Sequence, residues 1–329
     1  MNTQPAIEIK DLVKSYRTQL ALRSLSMTVE KGDLYGFVGA NGAGKTTTLK
    51  ILATLLRPSS GSATVLGLDV MTGAHEIRRR IGYMPDFFGV YQDMETWEYL
   101  DFFGAAYRMT PAERDRRVAD VLELVGLSQK RDNLIGELSR GMQQRLGLAR
   151  VLMHDPELLL LDEPASGLDP RARLEIIAIL QELQKMGKTI LISSHILPEL
   201  QQLCNKVGII EHGKLVYSGP MSALPASGKQ ILRGELLVVD RVMEAVAALK
   251  ADPRVEDASE LDGLIRVTLR ADDGNDLSTA AEILVRRGFR LRMLRESGGG
   301  LEDVFMRLTS EEMGVGAGEG KNVPPPIPS

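Results

Sequence analysis

Nine consecutive residues, Gly39-Ala40-Asn41-Gly42-Ala43-Gly44-Lys45-Thr46-Thr47, carry the first recognisable chemistry in the chain. They fit G-x-x-x-x-G-K-[ST], a turn in which residues without a Cβ let backbone N–H groups close around an anion. Lys45 is then placed to reach the β- and γ-phosphates of a nucleoside triphosphate, and Thr46 to offer its hydroxyl to Mg²⁺. The positive end of a helix beginning at this point favours the same negative charge.

A second group follows far along the chain. Leu158-Leu159-Leu160-Leu161-Asp162-Glu163 sets four apolar residues ahead of two adjacent acids. In a phosphate-binding sheet, ligands sit beyond the carboxyl ends of the strands. There Asp162 can hold Mg²⁺ through water, and Glu163 can orient or deprotonate an attacking water.

The elements that must position these residues are legible around them. Leu34 to Val38 is a short apolar run of buried-strand type leading into the glycine loop, and Thr46 to Leu56 reads as a helix stopped by Pro58. Ahead of them, Leu25, Met27 and Val29 alternate with Ser26, Thr28 and Glu30 in a strand-rich lead-in. Residues 87–153 read as predominantly helical, with Thr110, Pro111 and Glu113 as a capping signal and Val118, Val121, Leu122 and Val125 as an apolar stripe. From 154 to 217 the strand Leu158–Leu161, a helix Arg171–Met186, and the strands Thr189–Ser193 and Val207–Ile210 follow in turn, with His212-Gly213 as a hairpin turn. This alternation predicts a mainly parallel central sheet covered on both faces.

Gly and Pro gather at 219–234, where a domain boundary is expected. Beyond it, 235–308 reads as a small α/β unit with strands at Leu236–Val239, Ile265–Leu269 and Phe289–Met293, and helices around Val242–Leu249, Leu277–Arg287 and Leu301–Leu308. No catalytic constellation stands out there, and its arginines, interspersed with carboxylates, read as a solvated face. The tail 309–329, rich in Gly and Pro, cannot bury enough apolar surface to offset its ordering entropy and is expected to be disordered.

Composition narrows the function classes. With 329 residues and 43% hydrophobic content, the chain has room for two cores. A net charge of −4 without a long Lys/Arg block provides no basic field for nucleic acid. The single cysteine, Cys204, cannot make an internal disulfide and reads as a small hydrophobe. No run of about eighteen apolar residues is present and the N-terminus lacks a secretion pattern, so direct membrane insertion is not expected. A membrane role would need another polypeptide.

Together these residues resemble the nucleotide-binding subunit of ATP-binding cassette (ABC) transporters, and Leu138-Ser139-Arg140-Gly141-Met142-Gln143-Gln144-Arg145 is similar to that family's Leu-Ser-Gly-Gly-Gln signature. In local terms it reads as a helix start: Ser139 caps, Gly141 lets a phosphate approach, and Met142, Leu146, Ala149 and Met153 supply a buried stripe. The resemblance implies a P-loop NTPase cassette of the α/β class over 1–222. Its parts would be a mainly parallel sheet, an antiparallel N-terminal β-subdomain and a helical subdomain, followed by the accessory domain at 235–308. It implies ATP and Mg²⁺ as cofactors, and a Mg²⁺-dependent ATPase that converts ATP and water to ADP and phosphate.

Residue by residue, the resemblance implies that Glu163 activates water and that Lys45 and His195 contact the γ-phosphate. Thr46, Asp86 and Asp162 are implied for Mg²⁺, Tyr16 for stacking on adenine, and Ser166-Gly167-Leu168-Asp169 for a loop that crosses to a partner subunit. Ser139 and Gly141 are implied to address ATP held by a second cassette, in a homodimer or paired cassette with two ATP molecules between the subunits. The chain departs from the family pattern where Arg140 replaces a glycine, Met142 a glutamine, and Asp86 the glutamine that links Mg²⁺ to the membrane partner. Asp86 adds negative charge near the phosphates, so altered hydrolysis or coupling is expected.

The final stretch Leu301 to Leu308 further resembles stand-alone cassettes that power exporters of the ABC-2 type, including drug-resistance ATPases. That implies a separate transmembrane permease and a cytoplasmic, peripheral position at the inner face of the cell membrane. The stretch 87–137, with Phe87, Phe88, Tyr91, Trp97 and Tyr99, is expected to hold the permease contact, with a local aromatic core as the alternative reading of the cluster. A competing class, soluble cassettes acting on ribosomes or DNA, usually carries two cassettes or a long coiled-coil insertion; this chain has one cassette and neither insert.

Overall fold

A computed structural model of the chain describes residues 4–17, 19–87, 89–196, 200–224, 232–261, 263–269 and 276–296. The chain divides into two compact units, Met1–Ser222 and Ala223–Ser329.

The first unit opens with two long antiparallel strands, β1 (Ile7–Tyr16) and β2 (Gln19–Val29). The alternation in β2 acts as expected, with Leu25, Met27 and Val29 buried. With β4 (Ser60–Val65) and β5 (Leu68–Asp69) they form an antiparallel sheet in the order β2-β1-β4-β5. The central sheet holds β3 (Leu34–Val38), β6 (Ile81–Met84), β7 (Leu158–Asp162), β8 (Thr189–Ser194), β9 (Lys206–Glu211) and β10 (Lys214–Pro220), in the order β10-β9-β3-β8-β7-β6. Pairing is parallel from β9 through β6, and β10 folds back antiparallel on β9 after His212-Gly213. Every residue of β3, β7 and β8 is buried, which explains why those strands read as continuous apolar runs rather than alternating ones.

Helices flank this sheet. The first, α1 (Lys45–Leu52), is shorter than the apolar pattern predicts: Thr54 turns into the left-handed region at φ 60°, and the N–H groups of Leu55 and Leu56 close back on Lys50 O. A short α2 (Ala74–Arg80) precedes β6. The helical stretch contains α3 (Thr96–Ala106), α4 (Pro111–Leu124) and α5 (Arg140–Leu152). In α4 the Thr110/Glu113 capping box forms around Pro111, and Val118, Val121 and Leu122 are buried. Next, α6 (Pro170–Lys185) starts at Asp169, whose carboxylate accepts from the N–H groups of Arg171 and Ala172, both at 3.0 Å.

In the second unit β11 (Leu232–Val238), a helix at Val242–Lys250, β12 (Val255–Leu261), β13 (Leu264–Leu269), a helix at Ser278–Arg286 and β14 (Leu291–Glu296) follow one another. The sheet order is β12-β13-β11-β14 and all pairs are antiparallel, the ferredoxin-like βαββαβ arrangement. Leu236, Ala245, Leu249, Ile265, Val267 and Leu284 form its own core. Strand β12 was not evident in the sequence, because only Val255 and Ala258 of its seven residues are buried. The predicted helix at Leu301–Leu308 and the tail 309–329 lie outside the described residues.

Candidate nucleotide site

Parallel register builds the site. Val38 at the end of β3 pairs with Ser194 of β8, Asp162 at the end of β7 pairs with Ser193, and Met84 at the end of β6 pairs with Leu161. The glycine loop, Asp86, the acid pair and His195 therefore leave the sheet along one edge, the carboxyl edge where ligands bind in open α/β sheets. An open cleft lies there, lined by Asn41, Gly42, Gly44, Lys45, Thr46 and Thr47 of the loop together with Asp86, Glu163, Ser166 and His195.

Two glycines in the loop have no substitute. Gly44 takes φ 114°, and a Cβ on it would lie 2.8 Å from Leu22 Cδ2 and 2.9 Å from Ala21 O. A Cβ on Gly39 would lie 2.8 Å from Ile210 Cγ2 and run into the Ile210 carbonyl. The loop is held against neighbouring strands this closely, so that α1 begins facing the cleft with its first-turn N–H groups lacking intrahelical partners.

Lys45 is buried, yet its ammonium is well partnered: it donates to Gly39 O at 2.6 Å and Ala40 O at 3.3 Å, and lies 3.3 Å from Glu163 Oε1. The other oxygen of Glu163 accepts from His195 Nδ1 at 2.8 Å. Glu163 thus bridges the loop lysine and the strand-end histidine. Its backbone is in the left-handed region at φ 51°, which costs an ordinary L-residue roughly 1 kcal/mol or more. That turn is pinned by its own N–H, which donates to Ser193 O at 3.2 Å and Ser193 Oγ at 3.1 Å.

Asp162 is 1% exposed, and Ser193 Oγ donates to its Oδ1 at 2.6 Å. One hydroxyl therefore organises both acids, a role the sequence reading missed; its only signal was a pair of serines closing an otherwise apolar strand. Oδ2 of Asp162 is buried and has no hydrogen-bond partner among the described residues. A carboxylate oxygen left over at the carboxyl end of β7, with the exposed Thr46 on the first turn of α1, fits a hard cation such as Mg²⁺. Among the described residues no cluster of three or more His, Cys, Asp or Glu side chains is arranged to hold a metal ion. A cation here would complete its shell from Thr46, water and phosphate oxygens. Asp86 faces the same cleft, its carboxyl pushed above the ordinary carboxylate range by burial first, then by the charges of Asp162 and Glu163.

The sequence profile described as "ABC transporter" matches residues 22–166. The bacitracin transport ATP-binding protein BcrA of Bacillus licheniformis is 37% identical over 304 residues, spanning 92% of this chain and 96% of that protein. This chain belongs to the ABC transporter ATP-binding family. The daunorubicin/doxorubicin resistance ATP-binding protein DrrA of Streptomyces peucetius is 36% identical over 312 residues, 94% of each chain. A solved structure described as the ATP binding subunit of an ABC transporter superposes with a TM-score of 0.60 at 29% identity, covering 67% of this chain and 91% of that one. The fold is accordingly that of the P-loop cassette, and members of this family are ATPases.

The remaining expected residues of the cassette lie outside the cleft lining. Tyr16 ends β1, 45% exposed, with the Lys14 ammonium 5.3 Å from its ring centre. Ser139 caps α5, its hydroxyl accepting from Met142 N–H at 3.3 Å, while Leu146, Ala149 and Met153 are buried and Met142 is half-buried. Gly141 has a packing reason of its own: a Cβ there would lie 2.7 Å from Ala172 Cβ, so the glycine lets α5 approach α6. Of the aromatics in the helical stretch, Tyr99 is fully buried, whereas Phe87 is 87% and Tyr91 58% exposed. Phe88 lies outside the described residues. Cys204 is buried, and burial pushes its thiol far up, out of the range of a reactive nucleophile.

Proposed function

We propose that this chain is the Mg²⁺-dependent, ATP-hydrolysing subunit of an export-type ABC transporter, working as a dimer of cassettes on a separate membrane permease. The double engagement of Glu163 with Lys45 and His195 carries the reading. A phosphate anion entering the loop competes with Glu163 for the Lys45 ammonium. Once Lys45 turns to phosphate, Glu163 Oε1 is free to accept from a water and draw its proton. His195 donates from Nδ1 to Glu163, so its Nε2 can donate to a phosphate oxygen when the ring carries both protons. Mg²⁺, held by Thr46 and Asp162 with Asp86 alongside, supplies neutralisation of phosphate charge.

Ser139 and Gly141, outside the cleft of their own chain, are assigned to the nucleotide of a second copy, and the loop ending at Asp169 to the crossing between copies. Tyr16 is assigned to the adenine. Relatives named for bacitracin transport and for daunorubicin/doxorubicin resistance support export as the process served, over action on ribosomes or DNA. Among the described residues no helix is long and apolar enough to cross a membrane, so the permease is a separate chain in this reading, and the subunit sits at the inner face of the membrane through it. The exposed Phe87, Tyr91 and Phe102 are the surface assigned to that contact.

Glu163→Gln tests the reading. ATP turnover is expected to fall by about 10² to 10⁴-fold, while ATP converts the variant to a stable dimer on size-exclusion chromatography. A variant that stays monomeric with ATP, or turns it over at the wild-type rate, sinks the mechanism.

A further inference from the structure

The four-stranded sheet of the second unit has two unlike faces. Leu236 and Val238 of β11, with Ile265 and Val267 of β13, pack against the helices Val242–Lys250 and Ser278–Arg286. Alternate residues of the strands point the other way, and among the described residues no helix of this unit packs there. Register orders that second face in rows. Arg266, Glu235 and Arg295 stand side by side across β13, β11 and β14. One pleat further along, Leu261 of β12 pairs with Leu264 of β13, and Leu237 of β11 pairs with Met293 of β14. The pairing of Leu236 with Ile265 sets Leu237 beside Leu264, so an apolar row crosses all four strands. Leu261 is 45% exposed and the other three are half-buried.

The chain itself carries a segment that fits this row. Strand β14 ends at Glu296, and after Ser297-Gly298-Gly299-Gly300 the sequence places Leu301, Val304, Phe305 and Leu308 at i, i+3, i+4 and i+7, the spacing of one helix face. Eight helical residues span about 12 Å, and four strands about 14 Å from first to last, so stripe and row match in length. The linker reaches as well. From Glu296 back to the level of Met293 is three strand residues, about 10 Å, and the five residue steps to Leu301 cover up to about 17 Å. Charge agrees with shape. Two arginines against one glutamate leave the neighbouring row positive, with the Arg266 and Arg295 side chains 56% and 62% exposed. Glu302 stands beside the stripe, about 100° round the helix from Leu301, and Glu302 and Asp303 lie in a first turn, where acids are favoured.

We propose that residues 301–308 dock as an amphipathic helix on the open sheet face of their own chain, the stripe lying over Leu261, Leu264, Leu237 and Met293 and Glu302 turned toward the arginine row. The second unit is then closed on both faces by its own sequence. Its two helices cover one side, and the segment after β14 covers the other.

Cross-linking in the full chain tests this. Cys204, the single cysteine, is replaced by Ala, and Met293→Cys is combined with Val304→Cys. A control combines Val304→Cys with Glu282→Cys, on the helix Ser278–Arg286 behind the sheet, where that side chain is 42% exposed. Thermal unfolding verifies that each variant is folded, and a short bismaleimide joins thiols that meet. Denaturing gels and peptide mass spectrometry separate links within a chain from links between chains. The 293–304 link is expected to form within one chain about tenfold or more faster than the 282–304 link, because docking raises the local concentration at one face only. Phe305→Asp, which breaks the stripe, should lower the 293–304 rate about tenfold, and Glu302→Lys should lower it about threefold, less so at high salt. Equal rates for the two pairs, or a 293–304 rate indifferent to Phe305→Asp, overturn the proposal. A 293–304 link found between chains overturns it too, since the occupant is then the segment of a second copy.

Discussion

Glu163 and Glu235 are both nearly buried carboxylates held between two nitrogen bases, yet only the first is arranged to exchange them. Glu235 sits in the middle of β11, and the antiparallel register sets it opposite Arg266 of β13 and Arg295 of β14. Arg266 Nε lies 3.3 Å from one oxygen and Arg295 Nε donates to the other at 2.8 Å, so each oxygen has a fixed partner on a flanking strand. Glu163 stands one residue beyond the end of β7, on a left-handed backbone, between a lysine also bound to the loop carbonyls and a histidine that is 41% exposed. The difference follows from sheet geometry. Within an antiparallel ladder, cross-strand neighbours saturate one another. At the carboxyl edge of a parallel sheet, adjacent strand ends bring charged groups together around space that a ligand can enter.

This contrast can be broken or sharpened by substitution. The largest effect is expected at Lys45, where Lys45→Ala removes the phosphate contact and one partner of Glu163 together. ATP turnover should fall by about 10² or more, as for loss of a strong charge-stabilising contact, with weakened binding of a fluorescent nucleotide; near-normal turnover would show that the cleft is not the reaction site. A smaller loss is expected for Ser193→Ala, which leaves Oδ1 of Asp162 without its donor and removes one of the two hydrogen bonds that pin the Glu163 turn, the one to the Ser193 carbonyl remaining. One buried charge-assisted bond of about 1.5–3 kcal/mol corresponds to a kcat reduced by roughly tenfold to a hundredfold, and Ser193→Thr should restore most of it if the hydroxyl is what matters.

The smallest effect on turnover is expected at the other glutamate. Glu235→Gln should leave MgATP hydrolysis within about twofold of wild type, while lowering the thermal midpoint of the second unit by a few degrees. A turnover defect there would give that unit a part in the reaction. The pH dependence has a definite sign. The hydrogen bond from Arg295 holds the Glu235 carboxyl below its ordinary value of 4.5, with burial opposing and Arg266 assisting. Its folded form thus favours the carboxylate. The stabilisation is full above pH 4.5 and is lost as pH falls through the lowered value, so wild type and Glu235→Gln should converge in unfolding midpoint on the acid side only.

Much of this protein was decided locally. The glycine loop was legible because its conformation excludes a Cβ at Gly39 and Gly44, whatever the remainder of the chain does. Caps at Thr110, Ser139 and Asp169 require only a side chain and the N–H groups two or three residues on. The buried strands were evident because both faces are covered, which leaves apolar residues at every position. What the sequence alone did not decide is adjacency. That β8 inserts between β3 and β7 is a matter of strand order, and it is this order that sets Ser193 beside Asp162 and Glu163, His195 beside Glu163, and Glu163 beside Lys45. Packing likewise buried Tyr99, which the sequence left open between local core and interface, turned Gly141 toward Ala172, and laid Arg140 on Gly167. Short-range sterics and hydrogen bonding are written residue by residue, whereas contacts between residues far apart in the chain exist only once the sheet has chosen its neighbours.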